Sequence, residues 1–226
     1  ASAVNVQETQ TNYPVFNLID RTMKETQLTR STILAIFKKL SERTKKLNFK
    51  NPEGFANTFI NTMKGILADH IAMNIQYDIT NENLPFDTNK LFPEEQKFPQ
   101  KELVKGSSFS MYDQVQIDSE VEEKFVKNRL NVDDNVVCYF KFPPKFRIHT
   151  PKLIGNYNPD WGIIRWYEQK QLKLELVRET KGNIDPNLLQ FKNEKRKIDC
   201  AKKHFDALGV DYRQVTDQVV HWWEKD

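Results

Sequence analysis

Asp160, Glu179 and Lys181 are the residues whose types and spacing suit hydrolytic chemistry. Asp160 lies 19 positions before Glu179 and 21 before Lys181. Between them run Trp161-Gly162-Ile163-Ile164, a polar cluster Glu168-Gln169-Lys170-Gln171, and then Leu172 to Val177. Apolar, β-branched runs on either side of a turn-prone cluster predict two strands joined as a hairpin. A hairpin sets the start of its first strand beside the end of its second, which brings Asp160 to Glu179. Side chains alternate faces along a strand, so Glu179 and Lys181 share one face and Thr180 takes the other. Two carboxylates meeting at one point make an oxygen site for a hard cation such as Mg²⁺. A lysine beside them can orient a water or stabilise charge developing on a phosphate.

Other Glu-x-Lys spacings occur at Glu95/Lys97, Glu122/Lys124 and Glu168/Lys170. Only Glu179/Lys181 closes an apolar strand whose hairpin partner opens with Pro-Asp; Glu168/Lys170 falls in the turn. The elements that must hold this hairpin are legible on both sides. Tyr112 to Ile117 alternates as a strand, and Asp118 or Ser119 caps a helix over Glu120 to Leu130 with Val121, Phe125 and Leu130 inward. Its early glutamates suit the positive end of the helix dipole. Asn135 to Phe142 reads as a strand stopped by Pro143-Pro144, and Phe146 to Pro151 as a short extended piece. After the hairpin, Leu188 to Leu208 reads as a helix ended by Gly209, and Val210 to Val215 as a last strand. Lys192, Lys195, Arg196 and Lys197 lie on that helix; they either meet DNA phosphates or form a solvated face. Trp222 and Trp223 dock the tail, on this domain or on a neighbour.

The first half reads differently. Thr29 or Ser31 caps a helix with Ile33, Ile36, Phe37 and Leu40 inward. Asn51-Pro52-Glu53 opens another, with a buried stripe of Phe55, Phe59, Ile60, Met63, Ile66, Leu67 and Ile71. Between residues 78 and 106, Pro85, Pro93 and Pro99 alternate with Phe86, Leu91, Phe92 and Phe98, which predicts an extended strap that docks its phenylalanines. The organisation expected is a helical connector or docking region over 1–77, the strap over 78–106, and a catalytic domain over 107–226. His70 and His149 have no partner residues at catalytic or metal spacing and read as structural or exposed.

Pro159-Asp160 followed by Glu179-Thr180-Lys181 resembles the PD-(D/E)XK nuclease motif. The wider text, Tyr157-Asn158-Pro159-Asp160-Trp161 and Arg178-Glu179-Thr180-Lys181-Gly182, resembles more narrowly the endonuclease domain of the restriction (Res) subunit of type III restriction-modification enzymes. The resemblance implies a mixed α+β fold, with a mixed central sheet flanked by helices, behind the helical N-terminal region. It implies that Asp160, Glu179 and the backbone carbonyl of Thr180 hold Mg²⁺, with Mn²⁺ as a substitute, and that Lys181 positions or activates the attacking water. Ser119 to Phe125 resembles the first core helix of the superfamily, from which a glutamate often reaches the metal. Glu122 matches that place best and Glu123 less well; the alternative is a plain solvated acidic turn. The substrate implied is double-stranded DNA, cut without a covalent intermediate.

The same resemblance implies a longer protein: an ATP-dependent helicase-like motor outside this chain, a partner Mod subunit that reads and methylates DNA, and a bacterial cytoplasmic role in defence against phage. Rival readings are another nuclease of the superfamily, such as a junction resolvase or repair nuclease, a noncatalytic DNA-binding or assembly module on the same fold, and a structural domain with a coincidental motif. Composition narrows the field. The chain has 226 residues, 34 basic and 31 acidic, for a net charge of +3. That balance permits local nucleic-acid contacts without demanding them. Seven glycines and no Walker or dinucleotide pattern exclude an ATP site in this segment. There is no signal-peptide pattern and no apolar run of spanning length, so no membrane role is expected. Cys138 and Cys200 fit reduced packing residues.

Overall fold

The computed structural model describes residues 17–80, 88–95, 101–167, 172–182 and 192–224. It divides into two compact units, 1–67 and 68–226. In the first unit, α1 (Leu18–Thr26), α2 (Arg30–Lys39), α3 (Glu42–Lys50) and the start of α4 (Pro52–Asn74) enclose a small core of Leu18, Ile33, Phe55, Ala56, Phe59 and Met63. Asn17, Thr29 and Ser41 each cap a helix by accepting a first-turn backbone N–H. Neither α1 nor α3 was expected. Helix α3 buries no residue, so it carries no apolar stripe to read.

The stripe expected along α4 changes course. Ile66 is 59% exposed, whereas Ala68 and Ala72 are buried with Ile154 and Cys200. Small side chains on that face admit a close neighbour, and the larger Ile66 turns outward. Within the second unit, Lys203 donates to the Ala72 and Met73 carbonyls at 2.9 and 2.6 Å, satisfying acceptors that the end of α4 leaves open.

Inside the expected strap, Thr88–Leu91 forms a short helix, α5, and Glu102–Lys105 forms a strand, β1, which pairs antiparallel with β2 (Gln114–Ile117). Phe92 docks edge-on against Phe140 at 5.0 Å; Phe86 and Phe98 lie outside the described residues. Ser119 caps α6 (Glu120–Phe125), which runs on through a π-type turn, Val126–Leu130.

The main sheet has the order β3-β4-β5-β6, with β3 (Val136–Lys141), β4 (Trp161–Tyr167), β5 (Leu172–Thr180) and β6 (Asp211–Val215). The first three strands pair antiparallel, while β6 joins β5 in parallel after the crossover that contains α7 (Lys192–Leu208). The sheet is therefore mixed and flanked by helices. Phe125, Val126 and Leu130 pack with Trp161, Ile163, Leu176, Val215 and Trp222 on one side. Ile198, Ala201 and Phe205 of α7 pack with Tyr157, Val177 and Tyr212 on the other. Leu176 and Val177 are consecutive and belong to opposite cores, as strand alternation requires. The turn expected at Glu168 to Gln171 and the helix start at 188–191 lie outside the described residues.

Candidate active site

The β4–β5 pairing decides the site. Trp161 stands opposite Arg178, so Asp160 precedes the first strand just where Glu179 and Thr180 complete the second. Pro159 favours extended backbone at Asn158, whose side-chain N–H₂ donates to the carbonyls of Pro143 and Phe146 at 3.1 and 2.7 Å. The Asp160 carbonyl accepts from Phe142 N–H at 2.8 Å. Asp160 is thus fixed from both sides of its backbone.

One carboxylate oxygen of Asp160 accepts from the Thr180 N–H at 2.8 Å and from the Thr180 hydroxyl at 2.7 Å. The next amide, Lys181 N–H, donates to Val215 of β6 at 2.9 Å. In a trans peptide the Thr180 carbonyl points opposite to that N–H, toward the side of β4, where Asp160 leads into the strand. Glu179 is buried. It accepts from the Tyr157 hydroxyl on one oxygen and from the Lys181 ammonium on the other, at 3.0 Å. Tyr157 and Tyr212 share a further hydroxyl contact of 2.7 Å. Lys181 also meets Glu194, in the first turn of α7, at 2.5 Å.

Burial pushes the Glu179 carboxyl up to about 8, and the charge of Asp160 adds to the rise. Asp160 is raised by burial and then by the charge of Glu122, against the hydrogen bonds from Thr180. Burial works to lower Lys181, but Glu179 and Glu194 outweigh it and hold the ammonium above its ordinary range. Lys181 is therefore a proton-bearing donor, suited to orienting a nucleophile or an anionic oxygen and unsuited to abstracting a proton. Tyr157 is held well above the ordinary tyrosine value, first by burial and then by Glu179, so it too remains a donor.

Residues 108–218 match a family model described as an endonuclease domain. This part of the chain is a restriction-endonuclease-like domain. No curated protein and no solved structure matches the chain.

The endonuclease domain gathers Asp160, Glu179, Thr180 and Lys181 and distributes the other expected residues around them. Glu122 is buried at the start of α6. Its carboxylate accepts the Asp118 N–H at 2.8 Å and the Lys141 ammonium at 2.5 Å, and it reaches Asp160 through its field. Glu123 instead pairs with Lys127 at 2.5 Å, one helical turn along. Lys192 and Lys195 are exposed, but Arg196 is held against Asp69 at 2.7 Å. Arg178, inside the resemblance text, is fully buried and structural: it donates to the carbonyls of Trp222, Val177 and Asp211 and to the Asp211 carboxylate. His149 is exposed and offers its carbonyl to Tyr77.

Sequence reasoning did not single out Lys141, Glu194 or Tyr212. Lys141 was visible only as a residue near the end of the expected strand Asn135 to Phe142, Glu194 as one residue inside the expected helix Leu188 to Leu208, and Tyr212 as one residue of the last expected strand.

The donor set fits Mg²⁺. Asp160 and Glu179 are both raised by burial, Asp160 adds to the rise of Glu179, and Lys181 offsets only part of it; Thr180 directs a carbonyl to the same side. Among the described residues no three or more His, Cys, Asp or Glu side chains gather as metal ligands. Mg²⁺ suits so sparse a protein set because it keeps several waters and takes substrate phosphate oxygens.

Proposed function

We propose that this chain carries the DNA-cutting domain of a type III restriction enzyme Res subunit. The observation that carries the reading is the meeting of Asp160, Glu179 and Lys181 at the ends of β4 and β5 within an endonuclease domain. Asp160, Glu179 and the Thr180 carbonyl would hold Mg²⁺, or Mn²⁺ in its place. The bound ion supplies a water of lowered pKa and neutralises charge on the scissile phosphate. Lys181, kept protonated by Glu179 and Glu194, donates to the attacking water or to the anionic phosphate oxygen. Tyr157 holds one oxygen of Glu179 and leaves the other toward Lys181. Among the described residues no Ser, Cys or His stands at the site as an activated nucleophile, and in this reading the phosphodiester is hydrolysed directly, without a covalent intermediate.

The substrate in this reading is double-stranded DNA. Exposed Lys192 and Lys195 on α7 meet its phosphates, while Arg196 steadies the helix through Asp69. The motor that consumes ATP lies outside this chain, and a Mod subunit supplies sequence recognition. The setting is the bacterial cytoplasm, where the complex defends against phage. No helix among the described residues is long and apolar enough to cross a membrane.

The test is DNA cleavage by the complete Res–Mod complex, with ATP and Mg²⁺, carrying either the wild-type chain or one variant. Asp160→Ala and Lys181→Ala are each expected to lower the cleavage rate about 10²–10⁴-fold while ATP hydrolysis continues. Cleavage at the wild-type rate by either variant would sink the assignment of the site. Helicase motifs upstream in the same gene test the type III identity separately.

A further inference from the structure

We propose that the helical unit docks an acidic amphipathic helix of a partner protein, in an apolar trough between α3 and α4 that is edged by basic side chains. The inference is independent of the metal site.

The trough lies wholly within residues 1–67, the first compact unit. Leu40, at the turn before α3, joins Thr44 and Leu47 in one wall, and Gly54, Thr58 and Thr62 of α4 form the other. Thr44 and Leu47, like Gly54, Thr58 and Thr62, recur at three or four residues, which puts each set on one helix face. The floor is Phe55 and Phe59, stacked at 5.9 Å and braced edge-on by Phe37. The trough holds about 390 Å³, far more than a packing void. Leu47 is 51% exposed there, although α3 buries no residue of its own. Ile66, one turn beyond Thr62, extends the apolar face and is exposed as well. The small side chains at successive turns of α4 let a second helix come close, over about 18 Å from Gly54 to Ile66.

The charge beside the trough names the occupant. From Lys38 to Lys50 stand six basic residues and one acid, Glu42, whereas the whole chain carries only +3. Lys45 holds Glu42 at 2.8 Å. Arg43, Lys46 and Lys50 follow the i, i+3, i+7 spacing of one edge of α3, are exposed, and have no carboxylate partner among the described residues. Along α4 no acid occurs between Glu53 and Asp69, and Arg21 holds Glu53 at 2.7 Å. A partner helix that sets apolar side chains into the trough and carboxylates against the basic edge satisfies both features. Nucleic acid satisfies one. Its phosphates would meet the edge, but Phe55 and Phe59 are buried and offer no ring face on which bases stack. A second copy of this chain would bring a second basic edge to the same trough.

The probe is a fluorescein-labelled peptide of about 18 residues, longer than the trough as a helix, with leucines on one face and glutamates on the other. Anisotropy titrations with the 226-residue chain are expected to show saturable one-to-one binding that weakens as salt rises. The same peptide with lysine for glutamate is expected to bind at least about tenfold more weakly. Thr58→Arg, which fills the trough from an exposed position, is expected to cost the glutamate peptide at least about tenfold. Arg43→Glu/Lys46→Glu/Lys50→Glu is expected to reverse the preference between the two peptides. Circular dichroism follows the fold, and the charge-reversed variant, altered only at exposed positions, decides the matter if Thr58→Arg unfolds. No saturable binding, equal binding of the two peptides, or unchanged binding by folded Thr58→Arg overturns the inference. Displacement of the peptide by a thymidine oligonucleotide makes the edge a nucleic-acid contact and overturns it too, as does a dimer of the chain that Thr58→Arg dissolves. Each of these outcomes leaves the endonuclease reading standing.

Discussion

Glu179 is the residue on which the electrostatics of the site turn. Its carboxyl rises from an ordinary 4.5 to about 8 because folding removes it from water and sets it beside Asp160. A group raised on folding stabilises the fold below its unfolded pKa, and that contribution is lost as pH rises through the folded value. The metal-free chain should therefore lose stability between pH 4.5 and about 8, relative to Glu179→Gln, which has no proton to release. Urea midpoints measured in a chelator across that range check this; parallel curves for the two proteins would contradict it. Metal binding runs the other way. The ion needs the ionised carboxylate, so Mn²⁺ should bind more tightly as pH rises over the same window. Lys181 contributes no such dependence there, because Glu179 and Glu194 keep it protonated.

Two residues at the scale of the elements show why the strands meet in this register. Gly162 pairs with Phe140, and a Cβ on Gly162 would lie 2.4 Å from the Phe140 ring. That ring has little room to retreat, with Phe92 at 5.0 Å and Phe142 at 5.1 Å. Gly162→Ala should destabilise the domain by about 1–3 kcal/mol through overpacking, read as a lower urea midpoint at unchanged m-value. Arg178 joins β5 to β6 and to the tail through Asp211 and the Trp222 carbonyl, at full burial. Arg178→Met should cost about 3–5 kcal/mol, because it strands the Asp211 charge and buried acceptors. It should also release the tail, seen as a red shift of tryptophan fluorescence. An activity loss without a stability loss would instead place Arg178 in the chemistry.

For the molecule as a whole, a cation bound only by the folded state stabilises it by mass action. At a Mn²⁺ concentration of about 100 Kd the gain is about 2.7 kcal/mol. The thermal midpoint should rise accordingly, with no rise in Asp160→Ala. The two units differ in how openly the sequence declares them. In the endonuclease domain the strand alternation, the Ser119 cap and the Gly209 terminus agreed with the fold, because each is set within a few neighbouring residues. In the helical unit α1 and α3 went unread; in the second unit β1 was hidden in a proline-rich stretch, since its pairing with β2 is a tertiary contact.

The sequence by itself determined the hairpin and the meeting of Asp160, Glu179 and Lys181, because strand period and a short connection set which side chains face one another. Tertiary structure alone decided their surroundings. Lys141 reached Glu122 across 19 residues, Glu194 reached Lys181 across 13, and Tyr212 reached Tyr157 across 55. It also decided that Arg178 is spent on the tail and Arg196 on Asp69. Such assignments depend on which helix lies over which strand, and charge and hydrogen-bonding capacity in one dimension do not say which partner a side chain will meet.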